Sequence, residues 1–149
     1  MNKNRDYIEK TYPGLQLSYI ECEDGWLPHI NRITDRLVKE ITGYNTKNGT
    51  NITFVINQIK EKFGSLRYYI SFNNTTITDN DFTSGLHKYI WDMEHISNYI
   101  CEKCGMYADT KKTHGWWKTI CDECNDKLHP EEGEDDIEPT PIDSENSNG

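Results

Sequence analysis

The chain has 149 residues, 34% of them hydrophobic, a mean hydropathy of −0.86 and a formal charge of −9 from 16 basic and 25 acidic residues. Eight of the acids, Glu131, Glu132, Glu134, Asp135, Asp136, Glu138, Asp143 and Glu145, fall in residues 131–149, which hold no Lys or Arg, so the remainder carries 17 acids (25 less 8) against 16 bases, about −1. A near-neutral body excludes a domain that grips long duplex DNA through a general basic excess; with no run near the roughly 18 apolar residues of a membrane helix and no apolar signal stretch in MNKNRDYIEK, the chain is expected to be soluble, intracellular and free of membrane contact.

Residues 4–12, stopped by Pro13-Gly14, read as a short helix, and Leu15 to Cys22 as a short edge strand. From Gly25 to Thr42, Trp26, Leu27, Ile30, Ile33, Leu37, Val38 and Ile41 recur at helical spacing, with Asp24 as N-cap and Gly43 as stop. Trp26 reads as core, and Pro28 is tolerated because it lies in the first turn. YNTKNGTN, 44–51, reads as a polar loop. ITFVINQIK and SLRYYISF then form an antiparallel hairpin, with Gly64 supplying the positive φ of a short loop with a bulge.

NNTTITDND reads as a loop. A second main helix runs from about Asp81 to Tyr99, with Phe82, Leu86, Tyr89, Ile90, Met93 and Ile96 on one side. Two helices on one face of a small antiparallel sheet define an α+β core over residues 1–99. After Pro130 the composition turns acidic and nearly devoid of apolar side chains, so 131–149 is expected to be disordered.

Between these parts lie two Cys-x-x-Cys pairs, Cys101/Cys104 and Cys121/Cys124, separated by the sixteen residues 105–120. Each two-residue spacer lets both thiolates reach one ion, and two such knuckles complete a tetrahedron, so residues 100–130 read as a zinc ribbon packed on the core, with one structural Zn²⁺ per chain. Four sulfur ligands leave no open position for water, which sets aside a catalytic zinc. Zinc binding would contribute folding free energy on the order of 10 kcal/mol. Disulfides would need an oxidising compartment, and a redox motif would not come twice at ribbon spacing. His114 reads as exposed, and Cys22 as a buried small hydrophobe.

Two clusters combine bases with aromatic rings. Lys60, Lys62, Phe63, Arg67 and Tyr69 surround the hairpin turn; alternation puts Arg67 and Tyr69 on the face opposite the core. Charged hairpin ends also keep sheet edges soluble, but a planar guanidinium beside an exposed ring suits a phosphate or a stacked base. Trp116, Trp117 and Lys118, near Lys111, Lys112 and His114, form the second cluster; one tryptophan is expected to pack the ribbon onto the core and the other to face solvent. No nucleophile with a base, paired carboxylates, phosphate loop or zinc-deaminase signature is present, which favours a binder over an enzyme.

CEDGWLPHINRITDRL at 22–37, IKEKFGSLRYYISF at 59–72, and ISNYICEKCG with THGWWKTICDEC at 96–124, in this order, resemble a widespread group of small phage and prophage proteins of uncharacterised function over about 100 residues, with Ser65 and Cys124 as small departures. The resemblance implies a phage protein acting in the cytoplasm of a bacterial host, as a host-interaction or anti-defence factor. The reading placed first is capture of a small anionic, nucleotide-like ligand by the two clusters. The alternatives are a ribbon that binds nucleic acid or transcription machinery, and an inhibitor of a host protein that uses the acidic segment. A homo-oligomer is compatible with the aromatic outer face at Tyr69.

Overall fold

The computed structural model describes residues 3–130. The expected disorder of 131–149 lies outside them. Among the described residues the chain is α+β, with helices α1 (Lys3–Thr11), α2 (Leu27–Asn48), α3 (Asn80–Ile96) and α4 (Asp122–Leu128). The strands are β1 (Gln16–Leu17), β2 (Ile20–Glu21), β3 (Thr53–Lys62), β4 (Ser65–Asn73), β5 (Thr110–Thr113) and β6 (Trp116–Thr119). No helix among them is long and apolar enough to cross a membrane.

The β3–β4 hairpin is antiparallel, as its alternation predicts. Its loop has only two residues, Phe63 and Gly64, at φ 54° and 83°, both of the sign that a tight two-residue hairpin turn demands. The bulge expected at that loop lies instead at Asn57, between Ile56 and Gln58. The predicted edge strand becomes two short pieces, β1 and β2, that both run parallel to β3. Phe54, Ile56, Ile59, Leu66 and Tyr68 face α2 and join Trp26, Ile30, Ile33 and Leu37 in the main core. Within it the Thr34 hydroxyl donates to the Ile30 carbonyl (2.9 Å), so the buried Tyr68 hydroxyl donates to Thr34 Oγ1 (2.6 Å).

Two helix boundaries differ from those predicted. Asp24 does not cap α2; Asp24–Trp26 form a 3₁₀ turn, and the Gly25 N–H donates to the Glu102 carbonyl (2.7 Å). At the other end α2 passes through Gly43 and stops at Gly49, φ 65°. An exposed helical glycine costs only about 1 kcal/mol, and tertiary contacts offset it. The Tyr44 ring stacks on Phe82 (3.9 Å between centroids) and its hydroxyl donates to Asp79 (2.7 Å), while Asn45 exchanges hydrogen bonds with both backbone groups of Ile52. The expected loop at 44–51 is therefore mostly helix.

Helix α3 closes the free edge of β4: the Leu66 N–H donates to Ser97 Oγ (2.9 Å) and the Tyr68 N–H to Glu94 Oε2 (2.8 Å). Unpaired edge N–H groups would otherwise invite another strand.

Residues 100–128 dock on this body through backbone. A methyl group at Gly25 would lie 2.6 Å from the Glu102 carbonyl carbon and closer still to the carbonyl oxygens of Cys101 and Glu102. Trp26 Nε1–H donates to the Ile100 carbonyl (2.8 Å). At the hairpin turn, Thr119 donates to the Gly64 carbonyl (2.6 Å), and a methyl group at Gly64 would meet the Thr110 methyl at 2.9 Å. Gly25→Ala has no flexible neighbour to displace, so it should cost about 1–3 kcal/mol as overpacking does; urea unfolding would measure it, and an unchanged midpoint would refute the close docking.

His29 is buried on α2; its Nε2–H donates to the Met93 carbonyl (2.7 Å) and its Nδ1 accepts from Arg32 (3.1 Å), an arrangement only the neutral ring satisfies. Burial holds its pKa below the ordinary value, opposed by the bond to Met93 and reinforced by Arg32. The unfolded chain then takes up the proton first, and stability from neutral His29, full above about pH 6.5, declines as pH falls through that value toward the lower folded pKa. The stability difference between the native chain and His29→Gln should shrink over that window in denaturation curves, and a constant difference would contradict the assignment.

Candidate metal centre and aromatic hollow

The four paired cysteines converge. Sγ of Cys101, Cys104, Cys121 and Cys124 all lie within 4.8 Å of one another, and Cys104 and Cys121 are 3.8 Å apart. A tetrahedral ion with metal–sulfur bonds of about 2.3 Å has an edge of about 3.8 Å, whereas a disulfide closes to about 2.05 Å. All five cysteines of the chain are free thiols. The cluster can hold a metal ion.

Local chemistry shapes each knuckle. Gly105, at φ 85°, turns the chain back so that its N–H donates to the Cys101 carbonyl (2.9 Å), and the Cys104 N–H points at Cys101 Sγ (3.5 Å). Burial alone would raise the Cys101 thiol, but N–H groups of Cys121, Cys104 and Lys103 aimed at its sulfur outweigh it and bring the pKa to about 7. Cys121 occupies the N-cap of α4 and Cys124 its first turn. Burial pushes Cys124 up to about 12, so a bound cation is what would let all four sulfurs carry charge together. Cys101, Ala108, Ile120 and Cys124 form a small core of their own.

The turn between β5 and β6 is His114-Gly115, again with two positive φ values, 52° and 83°. His114 is half-buried rather than exposed, its ring stacked on His129 (3.7 Å between centroids). Neither tryptophan is buried: Trp116 is 71% exposed and Trp117 44%. Docking needs neither, because Thr110 and Thr119 perform it against Gly64. The β3–β4 turn instead brings Phe63, 68% exposed, beside the two tryptophans. Phe63, Trp116, Trp117, Lys118, Gly115 and Glu61 line one hollow of about 580 Å³. Glu61 is the member that composition gave no reason to single out; its carboxylate accepts the Gly64 N–H (2.7 Å).

The hairpin cluster does not stay together. Lys62 is exposed, with its Nζ 5.8 Å from the Phe63 ring. Lys60 lies on the sheet face away from α2, in register between Glu21 and Arg67, and Tyr69 is exposed on that face opposite Gln58. Arg67 turns toward α3 and lines a separate hollow of about 280 Å³ with Ser65, Trp91, Glu94, His95 and Asn98. Trp91 and His95, ring centroids 4.0 Å apart, are one helical turn apart in sequence, a spacing that could have marked this wall. Burial raises the Glu94 carboxyl, partly offset by its bond from the Tyr68 N–H and by Arg67.

No protein-family model, curated protein or solved structure matches the chain, so no enzyme family is indicated.

The purified chain should carry one metal ion, read by native mass spectrometry, and Cys104→Ser should lose it. Chelation should then raise amide hydrogen exchange across residues 100–128 far more than in α2 and α3. Unchanged exchange after complete metal removal would contradict a metal-dependent ribbon.

Proposed function

We propose that this chain is a non-enzymatic binding protein, braced by one structural zinc ion, that takes an anionic ligand with a flat ring system, a nucleotide or a short single strand, at the hollow between its two hairpin tips. The observation that carries this reading is the convergence of Phe63, Trp116 and Trp117, largely exposed rings from segments more than fifty residues apart, around one hollow that also holds Lys118. Exposed apolar rings gathered in one place mark a binding surface. Stacking on aromatic side chains next to a cationic groove is how base faces are held without sequence readout. The backbone at Phe63 points the same way. A bulky residue at φ 54° sits where Asn or Gly would be unstrained, and such outliers cluster at ligand sites.

Zinc is favoured over other ions because an all-thiolate tetrahedral site suits zinc or iron–sulfur chemistry, and paired knuckles with this spacing suit zinc. The likeness of the three motifs to phage and prophage proteins supports action inside an infected bacterial cell, on a host nucleotide or nucleic acid. The shallow, open form of the hollow favours a strand over a single nucleotide, since small-ligand pockets bury most of their ligand.

Tryptophan fluorescence titrations with adenosine triphosphate and with oligothymidylate test this. Quenching is expected with at least one of them. Trp117→Ala should weaken binding about tenfold or more, in line with about 1–3 kcal/mol per stacked base. Lys118→Ala should weaken it less and lower the salt dependence by about one phosphate contact, and Arg67→Ala, in the other hollow, should leave it unchanged. Absence of quenching by both ligands at millimolar concentration would refute the reading.

A further inference from the structure

The acidic residues 131–149 leave the described chain beside the aromatic hollow. His129 is stacked on His114, in the turn that leads directly into Trp116 and Trp117. Leu128, the last residue of α4, shares a smaller hollow of about 150 Å³ with Lys118, and Lys118 also lines the aromatic hollow. Two contacts thus place the root of the acidic segment at the rim of the candidate site.

Its charge suits that rim. The segment carries eight acids and no base. Around the hollow stand Lys118 on β6, Lys112 paired in register with Trp117, and Lys62 beside Phe63. Glu61 directs its carboxylate at the Gly64 N–H, which moderates its opposition to a second anion. Reach is ample, because nineteen residues extend up to roughly 60 Å and the rim is where they begin. A tether this short keeps a weakly held segment at millimolar effective concentration.

We propose that the acidic segment 131–149 lies across the hollow of Phe63, Trp116 and Trp117 in the same chain and competes there with the anionic ligand. The competition rests on the reading of the hollow given above; the docking itself does not. The segment imitates the charge of a nucleic-acid strand, so only a ligand that adds ring stacking to charge displaces it. Ile137 and Ile142 are its only large apolar side chains, too few to hold it against such a competitor.

The test uses the full chain labelled with 5-fluorotryptophan, whose four tryptophans, Trp26, Trp91, Trp116 and Trp117, report separately by fluorine NMR. The comparison is a full-length variant carrying Glu131→Gln, Glu132→Gln, Glu134→Gln, Asp135→Asn, Asp136→Asn, Glu138→Gln, Asp143→Asn and Glu145→Gln. The Trp116 and Trp117 resonances should move while those of Trp26 and Trp91 stay. High salt should move the same two resonances of the native chain toward the variant positions. Oligothymidylate should bind the variant about threefold tighter or more, the scale of a weak tethered competitor. Unmoved Trp116 and Trp117 resonances would overturn the proposal, as would a shift that grows with protein concentration or an unchanged oligothymidylate affinity in chains that bind it. If both resonances move yet neither chain binds any nucleotide, the docking stands and the proposed function falls.

Discussion

The rest of the structure depends on a place where backbone lies directly on backbone. Gly25, at the start of the first main helix, approaches the carbonyls of Cys101 and Glu102 so closely that no side-chain carbon fits between them. That approach lets the Gly25 N–H and the Trp26 indole donate to consecutive turns of the first knuckle. It also occupies an N–H that a helix of this kind would otherwise leave to a capping side chain or to water. The knuckle thus serves as the cap, and the metal cluster is anchored to the longest helix.

From that anchor the geometry of the ribbon follows. Gly64 makes the second close contact, with Thr110 and Thr119 at the far end, so the ribbon is held at two points rather than by an extensive apolar interface. Its own core is Cys101, Ala108, Ile120 and Cys124, too small to sustain a fold unaided. A metal ion and the docking therefore support each other: the ion closes the knuckles, and the knuckles present the carbonyls that the helix start requires. With Gly64 pinned, Phe63 is thrust outward beside Trp116 and Trp117, and the aromatic hollow arises from the docking.

This separates the residues that carry the sequence resemblance from those that face solvent with chemistry to offer. Asp-Gly-Trp, the glycine of Lys-Phe-Gly, and the threonines flanking the ribbon hairpin serve contact between parts of the molecule. Arg67, the most suggestive cation in the sequence, belongs to a polar hollow against the second main helix, with Glu94 nearby and Trp91 and His95 on its wall. The open surface is left with rings and flexible lysines, a combination suited to stacking with weak electrostatic guidance.

The sequence by itself determined the elements whose signal is local. Alternation marked the long hairpin, helical spacing marked both main helices, and the paired cysteines marked the metal site, because each pattern is imposed by the period of its own backbone or by the reach of two thiolates to one ion. Tertiary structure decided what depends on distant partners. Asn45 and Tyr44 carry the helix through Gly43 by bonding to Ile52 and Asp79, which no local propensity registers. The parallel pairing of two-residue strands, the exposure of both ribbon tryptophans and the divergence of Arg67 from Phe63 follow from how separate segments meet. A one-residue step along a strand reverses the face a side chain presents, and the turn at Phe63-Gly64 sends the ring toward the ribbon while Arg67, four residues on, faces the helix. Proximity in sequence implied one site there, and chain geometry made two.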